Sequence, residues 1–165
     1  MRTAAVTAAL LALFCLGAGP LGAAEWGRHV NARYGYETAV PPGFTARGAA
    51  DNGDGQIFAT ATAELRVFGG NILEGDFEAE MRWRQGVLEA EGWALTDRMS
   101  TPDAAVFAAQ RAGRLLYVRA MALCGGDQFG MLMFTYLRAD IAASAPLIDR
   151  LAAAFRPTGD GLACR

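Results

Sequence analysis

Four runs of strand-forming residues follow one another at positions 93–99, 104–111, 114–123 and 128–137, with no more than four residues between any two. A parallel pair needs a crossover of a dozen or more residues, so neighbours this close in sequence pair antiparallel. The tightest joint, Ala112-Gly113, has the two-residue length of a β-hairpin. The last run points to the middle of the sheet. Met131, Met133 and Leu137 share one of its faces, and Leu132, Phe134 and Tyr136 share the other. A strand that is apolar on both sides belongs at the centre.

The upstream half supplies more strands and a helix. Residues 34–40 form an aromatic-rich run stopped by Pro41-Pro42-Gly43, which cannot continue a ladder. Residues 45–55 are small, polar and turn-forming, which predicts a loop with Asp51-Asn52-Gly53-Asp54-Gly55 at its tip. Residues 56–60 and 63–69 then predict a hairpin. Leu65 and Val67 alternate there with Glu64, Arg66 and Phe68. Asp76 is placed to cap a helix that runs to about Glu91, before Gly92. Its stripe is Phe77, Met81 and Leu88, with Trp83 and Val87 to one side. Glu78, Glu80, Arg82, Arg84 and Glu89 are expected on the wet face. A second helix over 140–155 buries Leu147, Ile148, Leu151, Ala152 and Phe155, with Pro146 in its first turn or at a kink. Three strands, a helix, four strands and a helix predict an α+β fold. It is an antiparallel sheet of about six to seven strands flanked by two helices.

Residues 1–24 read as a cleaved secretory signal peptide. Arg2 opens it, positions 4–18 are apolar or small apart from Thr7, Pro20 breaks the run, and Gly22 and Ala24 offer a peptidase small side chains. The apolar core is shorter than the ~20 residues of a membrane span. Cys15 follows the bulky Phe14, which argues against a lipid anchor. The expectation is one domain over 25–165 in the periplasm or secreted, with no stable membrane anchor. All fifteen basic residues are arginine, a bias of GC-rich bacterial genomes, and after loss of Arg2 the net charge is −3. That balance argues against nucleic acid as a partner and leaves no polybasic patch for a membrane. With Cys15 removed, Cys124 and Cys164 remain. In an oxidising compartment a lone pair predicts a structural disulfide, and their distance in sequence sets them apart from a redox Cys-x-x-Cys.

Little in the chain points to catalysis. Ser100, Ser144 and His29 are the only Ser and His side chains after the leader, and no nucleophile elbow surrounds either serine. Ser100 is expected in a turn and His29 in water near the mature N-terminus. One His and two bridged cysteines make no zinc site. With Asp54-Gly55 set at positions five and six of an EF-hand loop, Ala50 and Ala61 fall where the terminal carboxylates belong. Asp51, Asn52 and Asp54 therefore remain a candidate loop for a ligand or partner, with no metal assigned. Glu78 and Glu80, and Glu89 and Glu91, are two apart on a helix and do not face one another. The run Arg82-Trp83-Arg84 is the candidate partner surface, since Arg and Trp are enriched at interfaces. No cofactor is expected.

One resemblance extends this reading. Asn31-Ala32-Arg33-Tyr34-Gly35-Tyr36, then Val40-Pro41-Pro42-Gly43-Phe44, then Asn52-Gly53-Asp54-Gly55-Gln56 before a hairpin, resembles small exported proteins of proteobacteria. Those are similar to the PsbP-like sandwich, named after an extrinsic subunit of photosystem II. The resemblance implies an α/β/α sandwich over most of the mature chain and carries no functional residue with it. The function expected is a non-enzymatic binding or accessory protein of the cell envelope, partnered by another envelope protein. The alternatives are a small-ligand or metal-ion carrier using the 51–55 loop, and a carboxylate hydrolase with Asp51 and Asp54 near Tyr34 or Tyr36.

Overall fold

The computed structural model describes residues 25–159 and 161–164; the leader predicted at 1–24 lies outside them. In chain order the elements are β1 (Gly27–Asn31), β2 (Tyr36–Val40), β3 (Thr45–Ala49), β4 (Gly55–Ala59), β5 (Glu64–Asn71) and α1 (Phe77–Ala90). There follow β6 (Ala94–Ser100), β7 (Ala104–Arg111), β8 (Arg114–Leu123), β9 (Gln128–Leu137), α2 (Ile141–Ala154) and the short β10 (Arg156–Pro157). Seven strands make an antiparallel sheet in the order β3-β4-β5-β9-β8-β7-β6. The run apolar on both sides, β9, is the middle strand.

Each face of β9 feeds a separate core, which makes the molecule three-layered. On one face Met131 and Phe129 join Phe107 and Val118 beneath Phe77, Met81 and Leu88 of α1. On the other, Leu132 and Phe134 join Leu65 and Val67 beneath Tyr36, Leu151 and Phe155. The second cover is composite. It is α2 together with a small sheet of β1, β2 and β10, in which β2 is central. Gly69 lets this layer come close. A Cβ there would lie 2.3 Å from Cγ of Tyr34, whose ring lies against the strand.

The expected strand number holds, yet one member differs. Residues 36–40 belong to the small sheet, and residues 45–49, predicted as loop, form the edge strand β3. Thr-Ala-Arg-Gly-Ala carries little strand propensity. Pairing with β4 decides its conformation, while all five residues stay exposed. Both outer strands carry a register shift, between Ala46 and Gly48 on β3 and between Leu95 and Asp97 on β6. Ser100, expected in a turn, closes β6.

α1 departs from its predicted polar face at Glu80 and Arg84. Asp76 does cap it, accepting from the Ala79 N–H at 2.7 Å. Glu80, however, is buried at 1% exposure instead of facing water. Its Oε2 accepts the Leu73 N–H at 3.0 Å, and its Oε1 pairs with Arg84 at 2.7 Å. The carboxylate satisfies the connection that folds back from β5, and the nearby guanidinium makes its burial tolerable.

His29 is a second correction. It stands on β1 with its ring edge-on to Phe58 at 5.5 Å, and its Nε2 is buried without a hydrogen-bond partner. Burial holds the imidazole below its ordinary value of 6.5, because the charged form would lose hydration. On neighbouring β2, hydrogen bonds from Arg28 and Arg156 hold the Glu37 carboxyl below its ordinary 4.5. Acid therefore destabilises the fold in two stages. As pH falls below about 6.5 the unfolded chain takes up a His29 proton that the folded chain resists. Below about 4.5 the unfolded chain protonates Glu37 first, and the stability from its pairs disappears as pH passes its folded value. Urea midpoints measured from pH 8 to pH 4 are expected to fall in both windows. His29→Leu should remove the first stage and leave the second; an unchanged first stage would remove His29 from the account.

Candidate functional site

α1 covers only part of its side of the sheet. Its core partners are on β7, β8 and β9, while β3 and β4 continue past it uncovered. The step from covered to bare sheet makes a groove. Three adjoining hollows compose it, of about 410, 290 and 210 Å³, and Arg66 lines all three. Phe68 and Met133 form part of the floor next to α1, and Trp83 and Val87 stand along the helix wall. Gly48, Ala49 and Ile57 floor the open end. Trp83 is 50% and Val87 37% exposed, which places two large apolar side chains in water at the lip of the hollow floored by Phe68 and Met133. Arg66, shared by all three hollows, is paired with Glu64 at 3.2 Å, both partly exposed, and Glu91, Arg111 and Arg114 join them around the 290 Å³ hollow.

The Arg82-Trp83-Arg84 run divides here. Successive helical residues are turned about 100° apart, so three in a row cannot share one surface. Arg82 and Trp83 are exposed. Arg84 turns inward to Glu80 and lies 4.1 Å from the centroid of the Phe129 ring. Trp83 thus belongs to the outer surface, and Arg84 supports the wall beneath it.

The loop of Asp51, Asn52 and Asp54 closes the far end of the groove, where Asp54 lines the largest hollow. The Asn31 side-chain amide donates to the Gly53 and Asp54 carbonyls at 2.9 and 3.2 Å. Arg33 donates to the Asn52 carbonyl and pairs with the Asp54 carboxylate at 3.1 Å. The Asn52 amide also donates to Asp54, and Asp51 is exposed. Tyr36 donates its hydroxyl to the Asp54 carbonyl at 3.4 Å, and burial pushes the Tyr34 phenol above its ordinary value and the Tyr36 phenol well above it. The tyrosines and Asp54 are therefore brought together, as buttresses of a turn. Among the described residues no three His, Cys, Asp or Glu side chains converge as a metal site.

Cys124 and Cys164 form a disulfide with their Cα atoms 5.5 Å apart, tying the C-terminal turn to the end of β8. Ser144 is buried in α2. No helix among the described residues is long and apolar enough to cross a membrane. Arg66 and Phe68 escaped the sequence reading as site residues because they looked like ordinary strand alternation. Their role comes from the missing helix over β3 and β4.

The layer order and the two helices can now be set against known proteins. No protein-family model matches the sequence, and no curated protein matches it. Among solved structures, cyanobacterial PsbP from Synechocystis superposes with a TM-score of 0.60 at 14% identity, over 84% of this chain and 96% of that one. The Ran-binding protein Mog1p of Saccharomyces cerevisiae superposes with a TM-score of 0.59 at 11% identity, over 83% and 97%. The fold is the PsbP/Mog1-like sandwich. At such identities the likeness establishes the sandwich and no residue of a site. The groove beside α1 is therefore described by this chain's own side chains.

Proposed function

We propose that this chain is an exported, non-catalytic binding or accessory protein of the bacterial cell envelope, and that it docks on a partner protein through the groove beside α1. The observation that carries the reading is the exposure of Trp83 and Val87 above a channel floored by Phe68 and Met133. Exposed aromatic side chains beside a pocket are the usual anchors of protein interfaces, and the few that dominate each contribute about 2 kcal/mol or more. The occupant that fits is an apolar segment of the partner with a carboxylate placed to meet Arg66. Support for export comes from the leader and from the disulfide, a bond that persists in oxidising compartments. A carrier or a carboxylate hydrolase has less support, because Arg33, Asn31 and Tyr36 already engage the polar groups of Asp54 and its loop.

A photocrosslinking residue placed at Val87 tests this in cells of the source bacterium. One discrete adduct is expected there, and none from the same residue at Ala143 on α2. Trp83→Ala should reduce the Val87 adduct roughly thirtyfold in yield at limiting partner, the equivalent of an interface anchor. It should leave the unfolding free energy within about 0.5 kcal/mol of the parent, as for other exposed positions. No adduct at Val87, or one indifferent to Trp83, would sink the docking reading.

A further inference from the structure

A second hollow, of about 410 Å³, lies between the small sheet and α2 and shares no lining residue with the groove. Three arginines from three elements line it: Arg28 of β1, Arg150 of α2 and Arg156 of β10. Glu37 of β2 is the one acidic residue among those lining it, and it is buried. Arg28 donates through both Nε, at 2.9 Å, and Nη2 to Glu37 Oε2, and Arg156 meets Oε1 through both Nε and Nη2 at 2.6 Å. A guanidinium has five N–H donors in a rigid fork, so each keeps some in reserve after this pairing. Both side chains are 68% exposed, which leaves those donors open to a ligand.

Arg150 is held differently. Its guanidinium lies 4.4 Å from the centroid of the Trp26 ring, and it makes no ion pair among the described residues. Neutralising one buried carboxylate takes one cation, and the hollow holds three. Its lining therefore carries a net charge of +2 beyond what Glu37 requires. Like charges lining one hollow repel, yet two of them are paired with the carboxylate and the third lies against the indole. The space between them is kept open by Gly27, Ala39, Ala153 and Ala154, whose side chains are too small to fill it.

We propose that this hollow binds a small oxyanion, a carboxylate or a phosphate monoester, gripped by Arg28, Arg150 and Arg156. Glu37 and Trp26 are the positioning residues. They set the three guanidiniums in advance, so that little side-chain ordering remains to oppose binding. Guanidinium forks match the geometry of both oxyanions, and such charge-assisted bonds are about twice as strong as neutral ones.

Titration of the folded protein with phenyl phosphate and with benzoate, at about 150 mM salt to screen loose surface attraction, tests the site. Two-dimensional NMR of the indole N–H groups reports the location. Saturable binding of at least one oxyanion in the low-millimolar range or tighter is expected, with the Trp26 signal moving and those of Trp83 and Trp93 still. The stronger of the two identifies the preferred oxyanion, and phenyltrimethylammonium should leave Trp26 unmoved. Arg150→Gln should weaken binding about tenfold, as loss of a charge-assisted contact does, without lowering the melting temperature. Ala153→Asp, which adds an anion without touching an arginine, should abolish it. Arg47→Gln, on the exposed edge strand, should have no effect. The proposal is overturned by no saturable binding up to roughly 10 mM, which is weaker than a specific small-anion site. It is overturned equally by Arg150→Gln binding like the parent, or by Arg47→Gln weakening binding as much.

Discussion

Reduction of the Cys124–Cys164 bond, or its replacement by Cys124→Ser with Cys164→Ser, is expected to lower the unfolding free energy by about 4 kcal/mol. The bond closes a loop of 40 residues. An unfolded chain so tethered loses conformational freedom, and the loop-entropy relation for that length gives the figure. The closed segment is no surface appendage. It contains β9, the central strand, and α2, which covers one face of the sheet. For a domain of this size the loss corresponds to a fall in melting temperature of roughly 10–15 °C. Denaturant unfolding with and without reductant measures it. The slope with denaturant should rise as the midpoint falls, because the reduced unfolded chain is more open. Unfolding free energies equal within about 1 kcal/mol with and without reductant would show that the bond is a bystander to stability.

Glu80→Ala is expected to cost about 3–4 kcal/mol, far above the ordinary effect of a helix surface change. Two groups lose their partner together. The Leu73 N–H is left without its acceptor, and the Arg84 guanidinium stays against Phe129 without a counter-charge. Much of the cost is the stranded cation, which predicts a distinctive mutant pattern. Glu80→Gln keeps an acceptor of similar shape and should cost about half as much. Glu80→Leu combined with Arg84→Leu should recover most of the loss, since removing both members of a buried pair is often near neutral. A double-mutant cycle by urea denaturation isolates the coupling, expected at about 2 kcal/mol. Additive single mutants would mean that the pair behaves as a surface pair and that its burial is of no energetic consequence.

How far the sequence discloses this molecule depends on where each decision is made. β5, β7, β8 and β9 are legible because short connections restrict them to antiparallel neighbours and their alternation names the buried faces. β1 and β3 are not. Gly-Arg-His-Val-Asn and Thr-Ala-Arg-Gly-Ala lack strand-forming bulk, and each becomes a strand through the ladder offered by its neighbour. Glu80 and Arg84 read as solvent-side residues because spacing shows which residues share a helix face and cannot show that the connection from β5 folds over it. The groove was half visible. Trp83 stood out by type, while Arg66 and Phe68 acquired a role only once β3 and β4 proved to lie beyond the reach of α1. The arginine hollow was invisible, since Arg28, Arg150 and Arg156 come from distant parts of the chain and meet only in the fold.

The register shifts on β3 and β6 have a consequence for the molecule in a crowd. An open sheet ends in two rows of unused backbone donors and acceptors, and a second sheet can add to them edge to edge. Here each terminal strand contains a point where two residues stand opposite one, near Arg47 on one side and Thr96 on the other. Such a kink twists the strand and throws half of its ladder out of step with any straight newcomer. Stacking of copies into a growing ribbon is thereby discouraged at both ends.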